Sequence, residues 1–279
     1  MLINNISNII LILLVIILSS CGINEKTIEI NNLNSNKIVV LGHRGMGKNY
    51  IHPGNTFESI STAIELGADG SEIDVQVTKD SILVIYHNKD LSSLTNYTGF
   101  ISDYNWSDLD SCVYVTNNNK VYNVISVDEL FNSIPEIQRY YFSIDCKFNY
   151  GVLDTSSYMN AFIYGINKVV TDYHMVDKII VEAGSKYFHK LLKENSQVLQ
   201  FVTGSNIEKI MQIAKELDLF GVGIGSSISR ADILMAHRHG LRVMTWAPKT
   251  KWGNLKAIRK SPDIIQTSKV KHMLGLLEE

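Results

Sequence analysis

The sequence predicts a single α/β domain, a (β/α)8 TIM barrel with a small insertion after the second strand. Two observations lead to this prediction. Short apolar segments rich in β-branched residues recur along the chain, and segments with helical hydrophobic spacing lie between most of them. Eight such βα units occupy about 235 residues, a usual size for this barrel. An open, doubly wound sheet is the alternative that the same alternation allows.

The strands are expected where apolar runs are bounded by Gly, Ser or Asn. In chain order they are Ile38–Leu41, Gly70–Val75, Tyr141–Cys146, Lys178–Val181, Val198–Val202, Gly221–Ile224, Arg242–Trp246 and Asp263–Gln266. The helices are expected where apolar residues return every three or four positions. They are Thr56–Leu66, Val127–Ile134, Ser157–Val169, Lys186–Glu194, Ile207–Leu217, Arg230–His239, Lys251–Arg259 and Val270–Leu277. Asn206, Ser229 and Ser268 stand where helix N-caps are expected.

Two segments interrupt the regular alternation. Ile82–Tyr86 has the pattern of a strand and follows closely on the second barrel strand, which predicts a hairpin at the barrel's mouth. Residues 91–123 form a long polar and aromatic insertion. Since the loops after barrel strands build the active-site face, this insertion is expected to shape substrate access.

The first 36 residues are predicted to lie outside the barrel, which would occupy 37–279. Residues 1–20 contain no charge, and Ile9–Leu18 is an unbroken apolar run of ten, the length of a signal-peptide core. Small residues before Cys21 resemble the bacterial lipoprotein cleavage box, in which the cysteine is lipidated. Residues 21–36 read as a polar tether. The start lacks the usual Lys or Arg, so an uncleaved anchor is the alternative; both predict an exported, membrane-anchored protein of the cell envelope.

Composition narrows the class of partner. With 26 basic and 28 acidic residues the net charge is −2. The chain therefore lacks the excess of basic residues that binds a nucleic-acid backbone, and no nucleic-acid partner is expected. Cys112 and Cys146 alone would not form a disulfide framework in a domain of this size. Cys146 should face away from Asp145 and Lys147 in its strand, as a buried structural thiol.

Two carboxylates in the second strand point to a metal. Glu72 and Asp74 are two positions apart, so their side chains lie on the same side of the strand. A pair of carboxylates directed into a barrel mouth requires a cation, and all-oxygen ligands suit Mg²⁺ or Ca²⁺. A solvated strand face is the other interpretation of this spacing.

Histidines at strand ends flank this pair. His43 follows the first strand and His87 follows the hairpin strand, positions at which barrel enzymes carry catalytic groups. Arg44 adds a permanent cation that can hold phosphate oxygens in a bidentate manner. A metal, a phosphate cation and two proton carriers are what a metal-assisted phosphodiesterase needs. A structural histidine is the competing interpretation for each.

The third and seventh strands supply further candidates. Asp145 and Lys147 are also two apart and should both face the site, the first as a third metal ligand and the second as a phosphate cation. Trp246 ends the seventh strand and offers a flat apolar surface for part of a substrate. A packing role for Trp246 is the alternative.

These motifs resemble those of the glycerophosphodiester phosphodiesterase family over about residues 37–270. The specific block follows the family pattern in order and spacing: His43-Arg44-Gly45, Pro53-x-Asn55-Thr56, Gly67-Ala68-Asp69-Gly70-x-Glu72-x-Asp74-Val75-Gln76-x-Thr78-Lys79-Asp80 and His87-Asn88. The weaker matches are Asp145-x-Lys147, Gly240-Leu241-x-Val243 leading to Trp246, and Pro262-Asp263-x-Ile265-x-Thr267.

The resemblance implies one divalent metal, Ca²⁺ or Mg²⁺, and hydrolysis of glycerophosphodiesters to glycerol phosphate and an alcohol. Carried over to this chain, it implies three sets of residues. The metal ligands are Glu72, Asp74 and Asp145. The acid and base are His43 and His87, in an order that the sequence leaves open. The substrate contacts, to a small-molecule diester or a phospholipid head group, are Arg44, Lys147 and Trp246.

Four departures from the family pattern lie at the rim of the site. Gly54 stands where the family has Glu, Asp145 replaces a Glu that is longer by one methylene, Lys249 ends a changed segment after Trp246, and Ser268 replaces an Asp. They bear on the substrate more than on the reaction. Two alternatives therefore stay open, a lipid head-group phosphodiesterase of the sphingomyelinase D or lysophospholipase D type and a catalytically inactive ligand-binding lipoprotein.

Overall fold

The computed structural model describes residues 28–47, 51–117, 120–151 and 154–278. The strands found there are β1 Val39–His43, β2 Gly70–Val77, β3 Leu83–Ile85, β4 Ile125–Ser126, β5 Tyr141–Cys146, β6 Ile179–Ala183, β7 Leu199–Thr203, β8 Gly221–Gly225, β9 Arg242–Trp246 and β10 Ile264–Thr267. The α-helices are α1 Phe57–Glu65, α2 Val127–Ser133, α3 Thr155–Tyr173, α4 Lys186–Asn195, α5 Ile207–Glu216, α6 Arg230–Arg238, α7 Lys251–Ile258 and α8 Val270–Glu278.

Eight of these strands form a closed parallel barrel. They follow one another around the ring in the order β1, β2, β5, β6, β7, β8, β9, β10, and β10 pairs with β1 to close it. A helix follows each barrel strand before the next one begins. Closure rules out the open doubly wound sheet and confirms the TIM barrel.

The barrel has two apolar layers because its strands are buried on both faces. Inside the ring, Leu41, Phe201 and Met244 pack together from three different strands. Outside it, residues such as Ile144 and Phe162 pack between the strands and the surrounding helices. Removal of this apolar surface from water is the main source of stability, and it holds the strand ends in fixed relative positions.

Polar side chains begin the helices as the sequence indicates, with one exception. Asn206 Oδ1 accepts from Lys209 N at 2.9 Å, and Ser229 Oγ accepts from Asp232 N at 3.1 Å. The prediction that Ser268 is an N-cap was wrong, because α8 begins only at Val270. Ser268 belongs instead to the loop at the barrel's mouth.

The predicted hairpin and insertion are present after the second barrel strand. β2 continues past the barrel and pairs antiparallel with β3, which pairs in turn with β4. The segment between β3 and β4 has its own small apolar cluster, which includes Tyr86, Leu91 and Tyr122. It therefore forms a packed cap over one side of the mouth.

Part of the predicted tether lies against the barrel's N-terminal end. Asn32 Nδ2 donates to Pro262 O at 2.9 Å, and Leu33 N donates to Asp263 Oδ1 at 2.8 Å. The predicted signal peptide and the lipidation site at Cys21 fall outside the described residues. Among the helices that the structure describes, each is too short or too polar to cross a lipid bilayer.

Candidate active site

Three carboxylates meet at the C-terminal end of the barrel strands. Glu72 and Asp74 lie on β2 and are almost fully buried, and Asp145 on β5 is the register partner of Asp74. Each offers an oxygen, and these oxygens lie within 4.8 Å of one another. The three carboxylates that the strand spacing singled out therefore lie together in the structure.

Asp74 is the most strongly paired of the three. Lys147 Nζ lies 2.9 Å from its Oδ1 and Arg44 Nε lies 2.9 Å from its Oδ2, as ion pairs without hydrogen-bond alignment. Asn55 Nδ2 donates to Oδ2 at 2.7 Å. Burial acts to raise the pKa of Asp74, but the charges of Lys147 and Arg44 outweigh it and hold the pKa below its usual value. Asp74 is therefore ionised at neutral pH.

Glu72 has the opposite electrostatic surroundings. Burial raises its pKa well above the usual value, and the negative charges of Asp74, Asp145 and Glu182 raise it further. The pKa of Asp145 is raised as well, mainly by burial, although Lys147 Nζ lies 2.5 Å from its Oδ2. Buried carboxylates this close together are difficult to ionise unless a positive charge lies between them. A hard divalent cation would supply that charge.

The loop after β1 is bent so that its backbone reaches these carboxylates. Arg44 adopts a left-handed conformation with φ of 57°, and its N–H donates to Glu72 Oε2 at 2.8 Å. Gly45 follows with φ of 81° and donates to Ser71 Oγ at 3.0 Å. Only a glycine accepts this close approach, since a Cβ at Gly45 would lie 2.4 Å from the backbone of Ser59.

His43 lies at the end of β1 beside the carboxylates. Its Nε2 is 4.0 Å from Glu72 Oε2, and its Nδ1 is 3.3 Å from Ser268 Oγ. Burial lowers the pKa of His43 to about 4, and the adjacent charge of Arg44 adds to the effect. The imidazole is therefore neutral at pH 7, the form that accepts a proton.

His87 lies in the loop after β3, which β2 holds in place. Gln76 Nε2 donates to Tyr86 O at 2.9 Å and to Asn88 O at 2.7 Å, on either side of the histidine. His87 Nδ1 lies 2.6 Å from Asn88 Oδ1. Backbone and side-chain contacts thus set the position of the ring at the rim.

The remaining predicted residues occupy the expected elements. Burial acts to lower the pKa of Lys147, but the two carboxylates that it contacts raise the pKa above its usual value, so this lysine stays charged. Trp246 ends β9, which is separated from β2 by two strands of the ring. Cys146 is buried on the outer face of β5, as predicted, among the apolar residues between the barrel and the helices.

Two residues of the site, Asn55 and Glu182, have no role predicted from the sequence. Asn55 binds Asp74 twice, because Asp74 N also donates to Asn55 Oδ1 at 3.2 Å. Glu182 is buried on β6 in register with Asp145. The predicted strand stopped one residue before Glu182; a lone carboxylate next to an apolar strand was the signal that could have revealed it.

A profile of the glycerophosphoryl diester phosphodiesterase family matches residues 43–271, which contain all the site residues just described. The chain belongs to this family. Among curated proteins, a glycerophosphodiester phosphodiesterase of Caldanaerobacter subterraneus is 47% identical over 68 residues, 24% of this chain and 27% of that protein. One from Bacillus subtilis is 21% identical over 266 residues, 86% of this chain and 89% of the relative.

The chain covers only part of the length of some of these curated relatives. The matched stretch spans about a quarter of the length of the relatives from Caldanaerobacter subterraneus and Bacillus altitudinis, at 27% and 28%.

Solved structures of family members share the fold. A glycerophosphodiester phosphodiesterase from Agrobacterium tumefaciens superposes with a TM-score of 0.71 at 19% identity, over 86% of this chain and 100% of that chain. An Oleispira antarctica phosphodiesterase, solved with the product sn-glycerol-3-phosphate, has a TM-score of 0.73 at 17% identity, over 86% and 96%. At such identities the comparison supports the barrel alone.

Proposed function

We propose that this chain is a metal-dependent glycerophosphodiester phosphodiesterase that releases glycerol phosphate and an alcohol. The observation that carries the proposal is the joint placement of three carboxylate oxygens within 4.8 Å, two cations on Asp74 and two histidines at one barrel mouth. Family membership supports the same reaction. Each part matches a requirement for cleaving a P–O bond.

Glu72, Asp74 and Asp145 are proposed to hold one divalent cation, Mg²⁺ or Ca²⁺. When bound, the cation would act as a Lewis acid on a phosphoryl oxygen and balance the three buried carboxylates. The all-oxygen donor set and the raised pKa of Glu72 support a hard cation.

Arg44 and Lys147 are proposed to bind the non-bridging oxygens of the phosphate. Both cations already lie within 2.9 Å of Asp74, which fixes them before substrate arrives. Preorganised cations stabilise the charge that develops in the transition state without a reorganisation cost. Trp246 is proposed to contact the glycerol part at the opposite side of the mouth.

The two histidines are proposed to move the protons. His43, neutral at pH 7, would accept the proton of the attacking hydroxyl, which comes from water or from the neighbouring hydroxyl of the substrate. His87 borders the cavity under the insertion, beside the position of the leaving alcohol, and would donate a proton to its oxygen.

For the cellular location we propose an exported lipoprotein attached to the cell envelope through Cys21. The support is the uncharged, apolar stretch of residues 1–20 and the small residues that precede this cysteine. The partners are then a membrane, through the lipid, and a small diester at the barrel mouth.

The activity is tested with the full chain purified in mild detergent. Glycerophosphocholine, lysophosphatidylcholine and sphingomyelin are supplied separately with Mg²⁺, Ca²⁺ or EDTA. We expect metal-dependent release of glycerol phosphate from the first substrate. Preferred cleavage of either lipid would favour the head-group phosphodiesterase, and no turnover of any diester would indicate an inactive binding protein.

The histidine roles are tested by H43A and H87A, each of which should lower kcat by roughly 10²- to 10⁴-fold. H239A is the matched control, since His239 is exposed at the end of α6. Circular dichroism and thermal unfolding report on the fold. A variant that loses activity only because it unfolds would show that its histidine is structural.

A further inference from the structure

The cavity under the insertion adjoins the three carboxylates. Its volume is about 510 Å³, and its walls include Arg44 and Gly54 from the β1–α1 loop, His87 and Asn88, and Tyr114 and Asn117 from the insertion. Arg44 and His87 in its wall place it next to the proposed phosphate and proton-transfer groups. The cavity therefore suits the variable alcohol of a diester whose phosphate lies at the carboxylates.

Contacts between the insertion and the β1–α1 loop hold the cavity open. His52 Nδ1 lies 3.2 Å from Tyr122 Oη, and the two rings meet edge to face with centroids 5.7 Å apart. Tyr114 is only 5% exposed and packs against Tyr86 at a centroid distance of 6.0 Å. These aromatic contacts hold the insertion in place, so that it forms one wall of the cavity.

Gly54 leaves room on the side of the cavity that the β1–α1 loop forms. A Cβ at this position would lie 3.0 Å from Arg44 Cβ and 3.3 Å from Gly47 O, tighter than ordinary contact. The stem of Arg44 packs against the bare Cα instead, which lets its Nε reach Asp74. A larger residue at position 54 would displace Arg44 and enter the cavity.

The chemistry of the walls is uncharged or basic. Among the described residues that line the cavity, none carries a carboxylate. Among the described lining residues the aromatic rings are that of Tyr114, which is nearly buried, and the imidazoles of His52 and His87. Recognition of a quaternary ammonium uses an open aromatic cage or a carboxylate.

We infer that this cavity selects diesters of an uncharged polyhydroxyl alcohol, such as glycerol or inositol, over diesters of choline or ethanolamine. Amides of Asn88 and Asn117 can donate to and accept from hydroxyl groups, and apolar residues such as Leu94 and Val115 can cover the carbon face of a polyol. A cationic alcohol would meet Arg44 and no carboxylate among the described lining residues of the cavity. The inference rests on the proposed phosphodiesterase function and names its substrate class.

The test compares kcat/KM of the full chain for glycerophosphoinositol and glycerophosphoglycerol with that for glycerophosphocholine and glycerophosphoethanolamine. We expect the uncharged alcohols to be preferred at least tenfold. N117D places a carboxylate in the cavity without changing the shape of the side chain. V115D places one there from a second lining residue of the insertion. Each should reduce the preference about fivefold, chiefly by improving the cationic substrates.

Q138E is the control, because Gln138 is exposed at the opposite end of the barrel, before β5. It adds the same charge and should leave the ratio unchanged. Equal or better cleavage of glycerophosphocholine by the unaltered chain would overturn the inference, as would a change in the ratio by Q138E as large as that by N117D. If no diester is cleaved at all, the proposed function itself fails, which is a distinct result.

Discussion

Glu182 adds a fourth carboxylate beneath the proposed metal site. Its Oε1 accepts from Ser143 Oγ at 2.5 Å and also from Gln266 Nε2, which ties β5, β6 and β10 together inside the ring. Burial, and then the charge of Asp145, raise the pKa of the Glu182 carboxyl to about 8. At neutral pH without metal, this side chain is therefore largely protonated.

Metal binding should release protons near pH 7, because a divalent cation lowers the raised pKa of Glu72 and of Glu182. Calorimetric titration in buffers of different ionisation enthalpy measures the number released. E182Q should reduce that number and weaken metal affinity about tenfold. E194Q, which changes an exposed carboxylate on α4, is the control. If E182Q released as many protons as the unaltered chain, the protonation of Glu182 would not be coupled to metal binding.

The lowered pKa of His43 has a consequence for stability in metal-free protein. Its pKa is about 4 in the folded chain and 6.5 in the unfolded chain, so only the unfolded state takes up the proton between these values. The stability contribution is present above pH 6.5 and is lost as the pH falls towards 4.

His43 alone is expected to contribute a loss of about 2 kcal/mol in the free energy of unfolding between pH 7 and pH 5. Urea titration in EDTA measures it for the unaltered chain and for H43Q. H43Q removes this titration, so the stability difference between the two proteins should change by this amount between pH 7 and pH 5, while the contributions of the other titrating groups cancel. An equally steep pH dependence in both proteins would place the titrating group elsewhere.

At the scale of elements, the loop before β10 joins three parts of the chain at the barrel's N-terminal end. Asp263 is fully buried, and its two oxygens accept from Leu33 N at 2.8 Å and from Val243 N at 2.7 Å. His237 Nε2 lies 2.8 Å from the same carboxylate. This arrangement lies at the end of the barrel opposite the candidate active site. Barrels keep residues that serve stability at that end.

D263A should lower the free energy of unfolding by about 3 kcal/mol, because it leaves two backbone N–H groups and a histidine without their acceptor. Denaturant titration measures the loss. D177A removes an exposed carboxylate before β6 and should change stability by less than about 0.5 kcal/mol. Because Asp263 is remote from the mouth, the folded variant is expected to retain kcat; a loss of kcat in folded D263A would contradict this separation.

At the scale of the whole molecule, the candidate active site and the N-terminal segment that contacts the barrel lie at opposite ends of the barrel. Residues 28–36 lie against the barrel's N-terminal end, whereas the carboxylates lie at the C-terminal end of the strands. Six residues, 22–27, separate Cys21 from this attachment and span about 20 Å when fully extended. With a lipid on Cys21, we expect the mouth to face away from the supporting membrane, towards water-soluble diesters.

C21S tests this arrangement in cells. The variant should move from the membrane fraction to the soluble fraction, because the lipid can no longer be attached. Its kcat for a soluble diester should equal that of the anchored form, since the mouth does not use the membrane. Retention of C21S in the membrane would point to an uncleaved N-terminal anchor instead.

The residues that the sequence alone identified are those whose roles follow from local spacing. The period of two placed Glu72 and Asp74 on one side of β2, and strand ends placed His43 and His87 at the rim. Alternation of apolar segments indicated the barrel. Such patterns are visible in a single chain because each depends on neighbours within a few positions.

Tertiary structure decided what depends on distant parts of the chain. The register between β5 and β6 brought Glu182 beside Asp145, and the bend at Arg44 brought Asn55 onto Asp74. Ser268, expected to cap a helix, faces His43 because α8 starts two residues later. The sequence by itself thus determined the barrel and predicted the candidate reacting groups, whereas the partners of these groups and the walls of the cavity were set by long-range packing, which no local pattern encodes.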